Sequence, residues 1–342
     1  MKALVKYALG KGNMEIRDVT EPVPKAGEVK IKVKAAGICG SDLHIYNGDI
    51  QIPVRPPFVL GHEFTGVITE VGSKNSKFKI GTKVTAENSR YVCGHCRYCL
   101  TGNYNLCPER LATGYAFDGA FTSFCVVPEE RIHILPDNVD FISGALSDPS
   151  ACAYHAVEDL TGITAGDVVL ITGPGPMGLF CLQYVKQSGG VVILSGTKKD
   201  KKRLELAKEL GADFTVCIEE DVKSLVPKLT NGLGVDVFLE CAGANAAAQL
   251  GLELLRKQGK YTQVGIFGSK VTVDLDQIVY KELKVTGSFS QKYLAWEKAI
   301  EFVSQNRIKV RPLVTDILPL NEWEVGFKKF RDGAAIKVVF IP

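Results

Sequence analysis

A glycine-rich turn between a strand-like and a helix-like segment is the feature that most constrains how this chain can fold. Residues 167–172 form a largely apolar run of strand length, and residues 177–187 read as a helix. The turn between them has the pattern G-x-G-x-x-G, formed by Gly173, Pro174, Gly175, Pro176, Met177 and Gly178. In this context the glycines allow a tight turn and let a pyrophosphate approach the helix N-terminus. We therefore predict a nucleotide-binding unit here, with an ordinary Gly/Pro-rich connection as the alternative.

Strands and helices alternate along the second part of the chain, from about residue 150. Predicted strands cover residues 167–172, 191–194, 214–217, 235–240, 260–264 and 283–287. Predicted helices cover residues 150–161, 177–187, 200–210, 221–230 and 244–258. This alternation is typical of a parallel, doubly wound sheet. We assign residues 149–292 to a Rossmann domain, so the chain is α/β in class.

The first part of the chain has a different pattern. Residues 29–35 and 65–71 read as strands, and Gly/Pro turns separate short runs of this kind. From about residue 293 one helix is followed by short strands such as 337–341. A chain of 342 residues is long enough for two domains. We predict a mostly β domain made of residues 1–148 and 293–342.

Four cysteines in one short loop predict a structural metal site. Cys93, Cys96, Cys99 and Cys107 follow the spacing C-x2-C-x2-C-x7-C. Four thiolates fill the tetrahedral shell of zinc and leave no open position for a substrate. We therefore assign a structural zinc to a lobe of about residues 88–110, and any chemistry must take place elsewhere.

Two other glycine-flanked turns carry further metal-ligand residues. Cys39 lies in G-I-C-G-S-D-L-H at 37–44, and His62 and Glu63 lie in G-H-E-F-T-G at 61–66. Taken singly, Cys39 or His62 would be an ordinary core residue, but turns between strands are where ligands are expected. A catalytic zinc takes three protein ligands and keeps one open position. Cys39 and His62 supply two ligands, and Glu63 or a distant carboxylate could complete the set.

Asp148 is a candidate for that distant carboxylate, in the sequence Ser147-Asp148-Pro149. An aspartate before a proline is also a good helix N-cap, with proline at the first helical position. The pattern supports a metal ligand and a helix cap equally.

The loop after the strand at 191–194 bears on the choice of nicotinamide cofactor. NAD-binding folds usually carry Asp or Glu there, to bond the ribose 2′-hydroxyl. This chain instead has Ser195, Gly196, Thr197, Lys198 and Lys199, with Asp200 and Arg203 beyond. Hydroxyls and cations suit a 2′-phosphate, and no carboxylate within 195–199 repels it. We favour NADP over NAD, with a solvated basic helix start as the alternative.

Composition excludes several classes of protein. The formal net charge is only +3, the basic residues are scattered, and the longest apolar runs are strand-sized. We therefore expect no nucleic-acid partner and no membrane association. The six cysteines outside the lobe are dispersed, mostly among apolar neighbours, which indicates reduced thiols and a cytoplasmic location.

Together these motifs resemble those of the zinc-dependent medium-chain dehydrogenase/reductase superfamily. The resemblance covers essentially the whole chain, through residues 37–44, 61–66, 93–107 and 173–178, with D-G-A-F at 118–121 and G-A-D at 211–213. Within the superfamily the chain is most similar to sorbitol (L-iditol 2-) dehydrogenase and related polyol dehydrogenases. Threonine 3-dehydrogenase is the next most similar group.

The resemblance implies a GroES-like catalytic domain around a Rossmann domain, with the active site in the cleft between them. It also implies a catalytic zinc held by Cys39 and His62, with Glu63 and Asp148 bound directly or through water. Three departures leave the particular polyol open. Mammalian-type sorbitol dehydrogenases have Tyr directly after the position of His44, where this chain has Ile45 and then Tyr46. Polyol dehydrogenases usually have Glu where this chain has Asp148, and mammalian-type members have an Arg-Tyr pair where it has Ser290-Gln291.

The expected reaction assigns further roles. The zinc would polarise a hydroxyl, Ser41 would take the proton and pass it toward His44 and solvent, and hydride would move to the nicotinamide. To the glycine turn and the 195–203 loop we add a last group of candidate cofactor-binding residues, namely Val264, Gly265, Ile266 and Phe289.

We therefore predict a dehydrogenase that oxidises a secondary alcohol of a polyol, or of a phosphorylated polyol, to a ketose with NAD(P). The enzymatic alternative is L-threonine 3-dehydrogenase, which shares the sequence H-I-Y at 44–46. The second set of metal ligands disfavours a zinc-ribbon nucleic-acid binder. A cofactor-binding protein that has lost catalysis is disfavoured because the chain keeps Cys39, Ser41, His44 and His62. By analogy we expect a dimer or tetramer in which the strand at 283–287 pairs between copies.

Overall fold

The computed structural model describes residues 1–217 and 222–342. The strands are β1 (Lys2–Lys6), β2 (Met14–Asp18), β3 (Glu28–Gly37), β4 (Phe58–Val59), β5 (Glu63–Val71), β6 (Lys83–Ala86), β7 (Phe124–Pro128), β8 (Ile132–Ile134), β9 (Val168–Thr172), β10 (Val191–Gly196), β11 (Phe214–Cys217), β12 (Val235–Glu240), β13 (Leu255–Gln263), β14 (Lys284–Gly287), β15 (Val314–Pro319) and β16 (Lys337–Ile341). The α-helices are α1 (Gly40–Asn47), α2 (Arg97–Leu100), α3 (Phe141–Ala145), α4 (Ser147–Tyr154), α5 (Pro176–Gln187), α6 (Lys201–Glu209), α7 (Val222–Leu229), α8 (Asn245–Leu254), α9 (Asp276–Tyr280), α10 (Tyr293–Ser304) and α11 (Trp323–Arg331).

The chain divides into two compact units. The first contains residues 1–151, 291–305 and 310–342, and the second contains residues 152–290 and 306–309. In the part of the chain that the structure describes, no helix is long and apolar enough to cross a membrane.

The second unit contains a six-stranded sheet in the order β11-β10-β9-β12-β13-β14. All its pairings are parallel, as the predicted alternation requires. Its central strands read as continuous apolar runs because helices cover both faces of a parallel sheet. This is the doubly wound strand order of dinucleotide-binding folds, which places ligands at the carboxyl ends of the strands where the order reverses, between β9 and β12.

Two predicted helices differ from the structure, and a third lies partly outside the described residues. The helix predicted at 244–258 was wrong beyond Leu254, because residues 255–258 belong to β13 and Leu255 pairs with Val235. The strand pairing overrides the helical propensity of this segment. The helix predicted at 150–161 continues α4 as a π-helical segment from His155 to Thr161. The helix predicted at 221–230 is α7, although Asp221 lies outside the described residues.

The first unit is built mainly from β-strands, as predicted. Its larger sheet has the order β15-β16-β3-β5-β6-β8, with β7 also paired to β3, and a second sheet has the order β2-β1-β4. The carboxyl-terminal strand β16 pairs antiparallel with β3, so residues 337–341 join the larger sheet that residues 28–134 begin. A core of buried apolar side chains, including Phe64, Phe121 and Phe340, packs against these sheets.

Candidate active site

Strand pairing brings three potential metal ligands of the first unit together. Cys39 is the N-cap residue of α1, two residues after the end of β3, and Glu63 begins β5. The antiparallel register of β3 and β5 sets Gly37 opposite Glu63. As a result, ligand atoms of Cys39, His62 and Glu63 lie within 4.8 Å of one another. Glycine at 37 provides the room, because an added Cβ would stand 2.7 Å from Glu63 Oε2.

The chemistry of this group fits a divalent cation. Glu63 Oε1 and His62 Nδ1 are buried polar atoms without a hydrogen-bond partner, although burying such atoms unsatisfied is costly. Burial opposes protonation of His62, but the negative charges of Cys39, Asp42 and Asp148 prevail and raise its pKa to about 10. A site that draws a proton this strongly is suited to a bound cation. A thiolate, an imidazole and a carboxylate are all ligands that zinc accepts.

Asp42 contacts both Cys39 and His62, and the sequence analysis did not identify it as a site residue. Its Oδ2 accepts a hydrogen bond of 2.9 Å from the backbone N–H of Cys39, and its Oδ1 lies 3.8 Å from His62 Nδ1. Burial raises the pKa of Asp42 to about 6. An acidic residue three positions after an N-cap is a recognisable capping pattern, which could have pointed to Asp42. A carboxylate beside a ligating histidine commonly orients the ring.

Lys337 is the second residue that the sequence did not single out. It is 1% exposed, and its Nζ donates hydrogen bonds to Glu63 Oε2 and to the carbonyl oxygen of Ile38. Glu63 is itself 0% exposed. Glu63 Oε2 therefore accepts a hydrogen bond from the buried Lys337 ammonium. Glu63 Oε1 has no hydrogen-bond partner among the described residues, so it is the oxygen that can bind a metal.

Asp148 is not among the residues whose ligand atoms lie within 4.8 Å of one another, although its charge acts on His62. It is in the first turn of α4, which begins at Ser147, so it is not the N-cap of that helix. Its Oδ2 accepts a hydrogen bond of 2.9 Å from Nε2 of the buried Gln291. Burial raises the pKa of Asp148 to about 6. The structure therefore associates Asp148 with Gln291, a residue of the pair that replaces Arg-Tyr.

The two predicted proton-transfer residues lie on one short helix. Ser41 and His44 are three residues apart in α1, a spacing that places side chains on the same face. His44 Nδ1 lies 3.0 Å from Asp49 Oδ1. A carboxylate at that distance favours a proton on Nδ1, which leaves Nε2 as an acceptor. Ser41 Oγ accepts a hydrogen bond of 2.7 Å from the hydroxyl of Tyr115.

The four-cysteine lobe forms a compact sulfur cluster around α2. The sulfurs of Cys93, Cys96, Cys99 and Cys107 lie within 4.8 Å of one another. Backbone N–H groups point into the cluster, since Cys96 donates to Cys93 Sγ at 3.3 Å and Cys93 donates to Cys107 Sγ at 3.4 Å. Such N–H groups stabilise thiolates, which are the form of cysteine that binds metal. The cluster therefore fits a four-coordinate zinc.

The glycine turn of the second unit lies at the carboxyl end of β9 and opens α5. Gly173 has φ = +86°, and a Cβ on Gly178 would lie 2.0 Å from the Gly173 carbonyl oxygen. By contrast, nothing lies within 4 Å of the position that a Cβ on Gly175 would take. Pro176 starts the helix. Two glycines are thus needed for the turn itself, and the third leaves space where a phosphate can approach the helix N-terminus.

The loop after β10 has a different internal arrangement from the one its sequence predicts. Ser195 is buried, and its carbonyl oxygen accepts the Gly173 N–H at 2.9 Å, so it supports the turn instead of offering its hydroxyl to solvent. Asp200 accepts hydrogen bonds from the backbone and hydroxyl of Thr197 and lies 3.6 Å from Arg203. The Asp200 carboxylate therefore lies against Thr197, within the loop that the sequence predicts to be free of carboxylates.

Two of the remaining candidates for cofactor contact lie beside the end of β12. Val264 and Gly265 donate backbone hydrogen bonds to the Glu240 carbonyl oxygen. The Glu240 carboxylate in turn accepts backbone hydrogen bonds from residues 242 and 243, which stabilises this loop cluster. Ile266 and Phe289 are exposed, at 63% and 39%. Exposed apolar side chains are available to a ligand but do not by themselves define a site.

Comparisons with known proteins agree with both units. Two family models match the chain, one described as "Alcohol dehydrogenase GroES-like domain" over residues 25–137 and one as "Zinc-binding dehydrogenase" over residues 176–305. A sorbitol dehydrogenase of Halalkalibacterium halodurans is 43% identical, with 100% of this chain and 99% of that protein covered. A D-arabitol-phosphate dehydrogenase of Enterococcus avium is 41% identical (99% and 97% covered), and an L-threonine 3-dehydrogenase of Bacillus subtilis is 36% identical (100% and 99%).

Solved structures give the same result. A Sinorhizobium meliloti protein described as a zinc-binding dehydrogenase, bound to NADP, matches with a TM-score of 0.90 and 32% identity over 100% of this chain and 99% of that one. An Escherichia coli alcohol dehydrogenase complexed with NADH matches with a TM-score of 0.90 and 27% identity, with the same coverage. These likenesses confirm the predicted pairing of a GroES-like domain with a Rossmann domain, and they support zinc and a nicotinamide dinucleotide as cofactors. The chain belongs to the zinc-dependent medium-chain dehydrogenase/reductase superfamily of NAD(P)-dependent alcohol dehydrogenases.

Proposed function

We propose that the protein is a polyol 2-dehydrogenase, which oxidises a secondary hydroxyl of a polyol or polyol phosphate to a ketone. The main support is the group of Cys39, His62 and Glu63, whose ligand atoms lie within 4.8 Å of one another. Two relatives above 40% identity, described as a sorbitol and an arabitol-phosphate dehydrogenase, support the substrate class. In this reaction the alcohol loses hydride and a proton, and NAD(P)⁺ becomes NAD(P)H.

The proposed catalytic zinc would be held by Cys39 and His62, with Glu63 as a further ligand. When bound, zinc polarises the substrate oxygen as a Lewis acid, and the nicotinamide accepts hydride. Ser41 receives the hydroxyl proton, and His44 accepts it through Nε2 because its Nδ1 faces Asp49. Partial exposure of His44, whose side chain is 27% accessible, lets the proton reach solvent.

Asp148 remains a proposed ligand only through water. Its shorter side chain, compared with the usual glutamate, already accepts a hydrogen bond from Gln291. In our proposal this pair lines the substrate site and helps to select among polyols.

A substrate comparison tests the proposed function. The purified protein is assayed with sorbitol, xylitol, arabitol phosphate and L-threonine, each with NADP⁺ and with NAD⁺. We expect the highest kcat/KM with one of the polyols or with the polyol phosphate. A clear preference for L-threonine would instead establish the alternative, which the 36% identity to an L-threonine 3-dehydrogenase keeps open.

We further propose that NADP(H) is preferred over NAD(H), with Lys198 and Lys199 near the 2′-phosphate. Replacing both by alanine should raise KM for NADP⁺ roughly ten-fold and leave KM for NAD⁺ within about two-fold, because only NADP carries the extra charge. Lys208→Ala, farther along α6, is the control. Equal losses with both cofactors, or a wild-type preference for NAD⁺, would contradict this assignment.

The four-cysteine lobe is proposed to hold a second, structural zinc. Cys99→Ser should reduce the zinc content from two ions per chain to one and lower Tm by roughly 5 °C or more, because metal binding and folding are coupled. Metal analysis and calorimetry measure these effects, with Cys217→Ser in β11 as the control. A variant as stable as the wild type yet inactive would refute the structural role.

Two further features are proposals of the same kind. Strand β14 is the last in the sheet order of the second unit, and exposed apolar side chains lie on or near it, including Val279, Tyr280 and Val285. We propose that a second copy of the chain pairs here, giving a homodimer or a tetramer built from it. The ten cysteines form no disulfide in the part of the chain that the structure describes, and this supports our proposal of a cytoplasmic location.

A further inference from the structure

Tyr115 is a buried tyrosine of the active-site region that no sequence motif identifies. It lies in the segment between Cys107 and β7 and is 4% exposed. Its hydroxyl donates to Ser41 Oγ at 2.7 Å, and its ring centroid lies 5.1 Å from that of His62. Its carbonyl oxygen accepts a hydrogen bond from the Arg55 N–H at 3.0 Å. Tyr115 is therefore held at both its backbone and its hydroxyl.

The hydrogen bond limits how Ser41 can take part in proton transfer. A serine hydroxyl has one proton to donate and two lone pairs that can accept. Tyr115 occupies one lone pair as a donor, which is the form a phenol keeps at neutral pH. One lone pair then remains for an incoming proton, and the serine O–H remains to be passed on.

This arrangement matches the requirements of a relay. A hydroxyl that relays a proton must accept at one site while it donates from another, and free rotation about the Cβ–Oγ bond would populate other orientations. By fixing one site of Ser41 Oγ, Tyr115 reduces the number of unproductive orientations, a form of preorganisation. Because the Tyr115 ring packs beside His62, its hydroxyl stays in place when the Ser41 side chain rotates.

We propose that Tyr115 is a positioning residue that orients the Ser41 hydroxyl for proton transfer between the substrate alcohol and His44. The proposal rests on the proposed dehydrogenase function, in which Ser41 receives the substrate proton. Tyr115 transfers no proton itself and does not hold the metal.

Tyr115→Phe tests this role because it removes the hydroxyl and keeps the ring. With the best alcohol from the substrate comparison, we expect kcat to fall about ten-fold, a part of the total that acid–base catalysis supplies. We expect KM, cofactor affinity and zinc content to stay within about two-fold of the wild type. Tm should change by no more than a few degrees. The solvent deuterium isotope effect on kcat should rise, because proton transfer becomes more rate-limiting. Tyr104→Phe removes a hydroxyl bonded to Glu87 at 2.8 Å and is the matched control, with kcat expected to be unchanged.

A double-mutant comparison separates this role from a general structural one. Adding Tyr115→Phe to Ser41→Ala should cost nothing further in kcat, since no serine hydroxyl remains to orient. An unchanged kcat and isotope effect in the single variant, a loss confined to KM or zinc content, or additive losses would each overturn the role of Tyr115 while leaving the proposed function intact. A wild-type protein that turns over none of the tested alcohols would overturn both.

Discussion

Cys39→Ser is expected to lower kcat/KM by at least about 10³-fold while the protein still binds NADPH. Such a factor corresponds to about 4 kcal/mol of transition-state stabilisation, which is within the several kcal/mol that a Lewis-acid metal contributes. The cofactor candidates of the glycine turn belong to the second unit, whereas Cys39 belongs to the first. We therefore expect the variant to lose turnover without losing NADPH binding.

Three measurements check this expectation. Steady-state kinetics give kcat/KM, metal analysis should show one zinc per chain in place of two, and NADPH fluorescence titration should give a Kd within about two-fold of the wild type. Cys217→Ser in β11, a half-buried cysteine outside both proposed zinc sites, is the matched control. Activity close to that of the wild type in Cys39→Ser would eliminate the proposed catalytic site.

Lys337→Met is expected to lower the free energy of unfolding by about 3–5 kcal/mol, the usual result of leaving a buried charge without its partner. Lys337 and Glu63 are 1% and 0% exposed, so water cannot compensate the carboxylate once the ammonium is gone. Methionine has nearly the shape of the lysine stem, so the loss reports mainly on charge.

A rescue experiment makes this prediction specific. In the double variant Lys337→Met/Glu63→Gln the unpaired charge is gone, and most of the lost stability should return. Lys329→Met is the control, because the Lys329–Asp316 ion pair is partly exposed on the lysine side and should contribute at most about 1 kcal/mol. Urea unfolding of each variant without the catalytic zinc gives the values, because a zinc bound by Glu63 would itself compensate the carboxylate. A Lys337→Met variant as stable as the wild type, or no rescue in the double variant, would show that the pair is not an energetic unit.

Some parts of the site could be predicted because their signals are local. The six residues of the glycine turn carry their own conformational requirement, since Gly173 needs φ = +86° and Gly178 has no room for a Cβ. Likewise, the cysteine spacing places three sulfurs on one short loop, and Cys107 follows eight residues after Cys99. Interactions over so few residues depend little on the rest of the fold.

Other local signals were misleading because distant strands compete with them. The segment 255–258 has helical propensity, yet Leu255 pairs with Val235. Ser195 is a predicted cofactor contact, yet it is buried in β10, where it pairs with Thr172 and Val216. In both cases hydrogen bonds of a parallel sheet, formed with residues about 20 positions away, decide the outcome.

The amino-acid order alone determined the alternation of strands and helices, the glycine turn and the choice of candidate cysteine and histidine ligands, since each depends on a few neighbouring residues. Only the tertiary structure decided which further side chains contact the candidate site residues. Lys337 reaches Glu63 across 274 positions, Gln291 reaches Asp148 across 143, and Tyr115 reaches Ser41 across 74. These meetings depend on how strands such as β16 and β3 pair, and no short-range pattern records that pairing because its energy comes from burial over the whole unit.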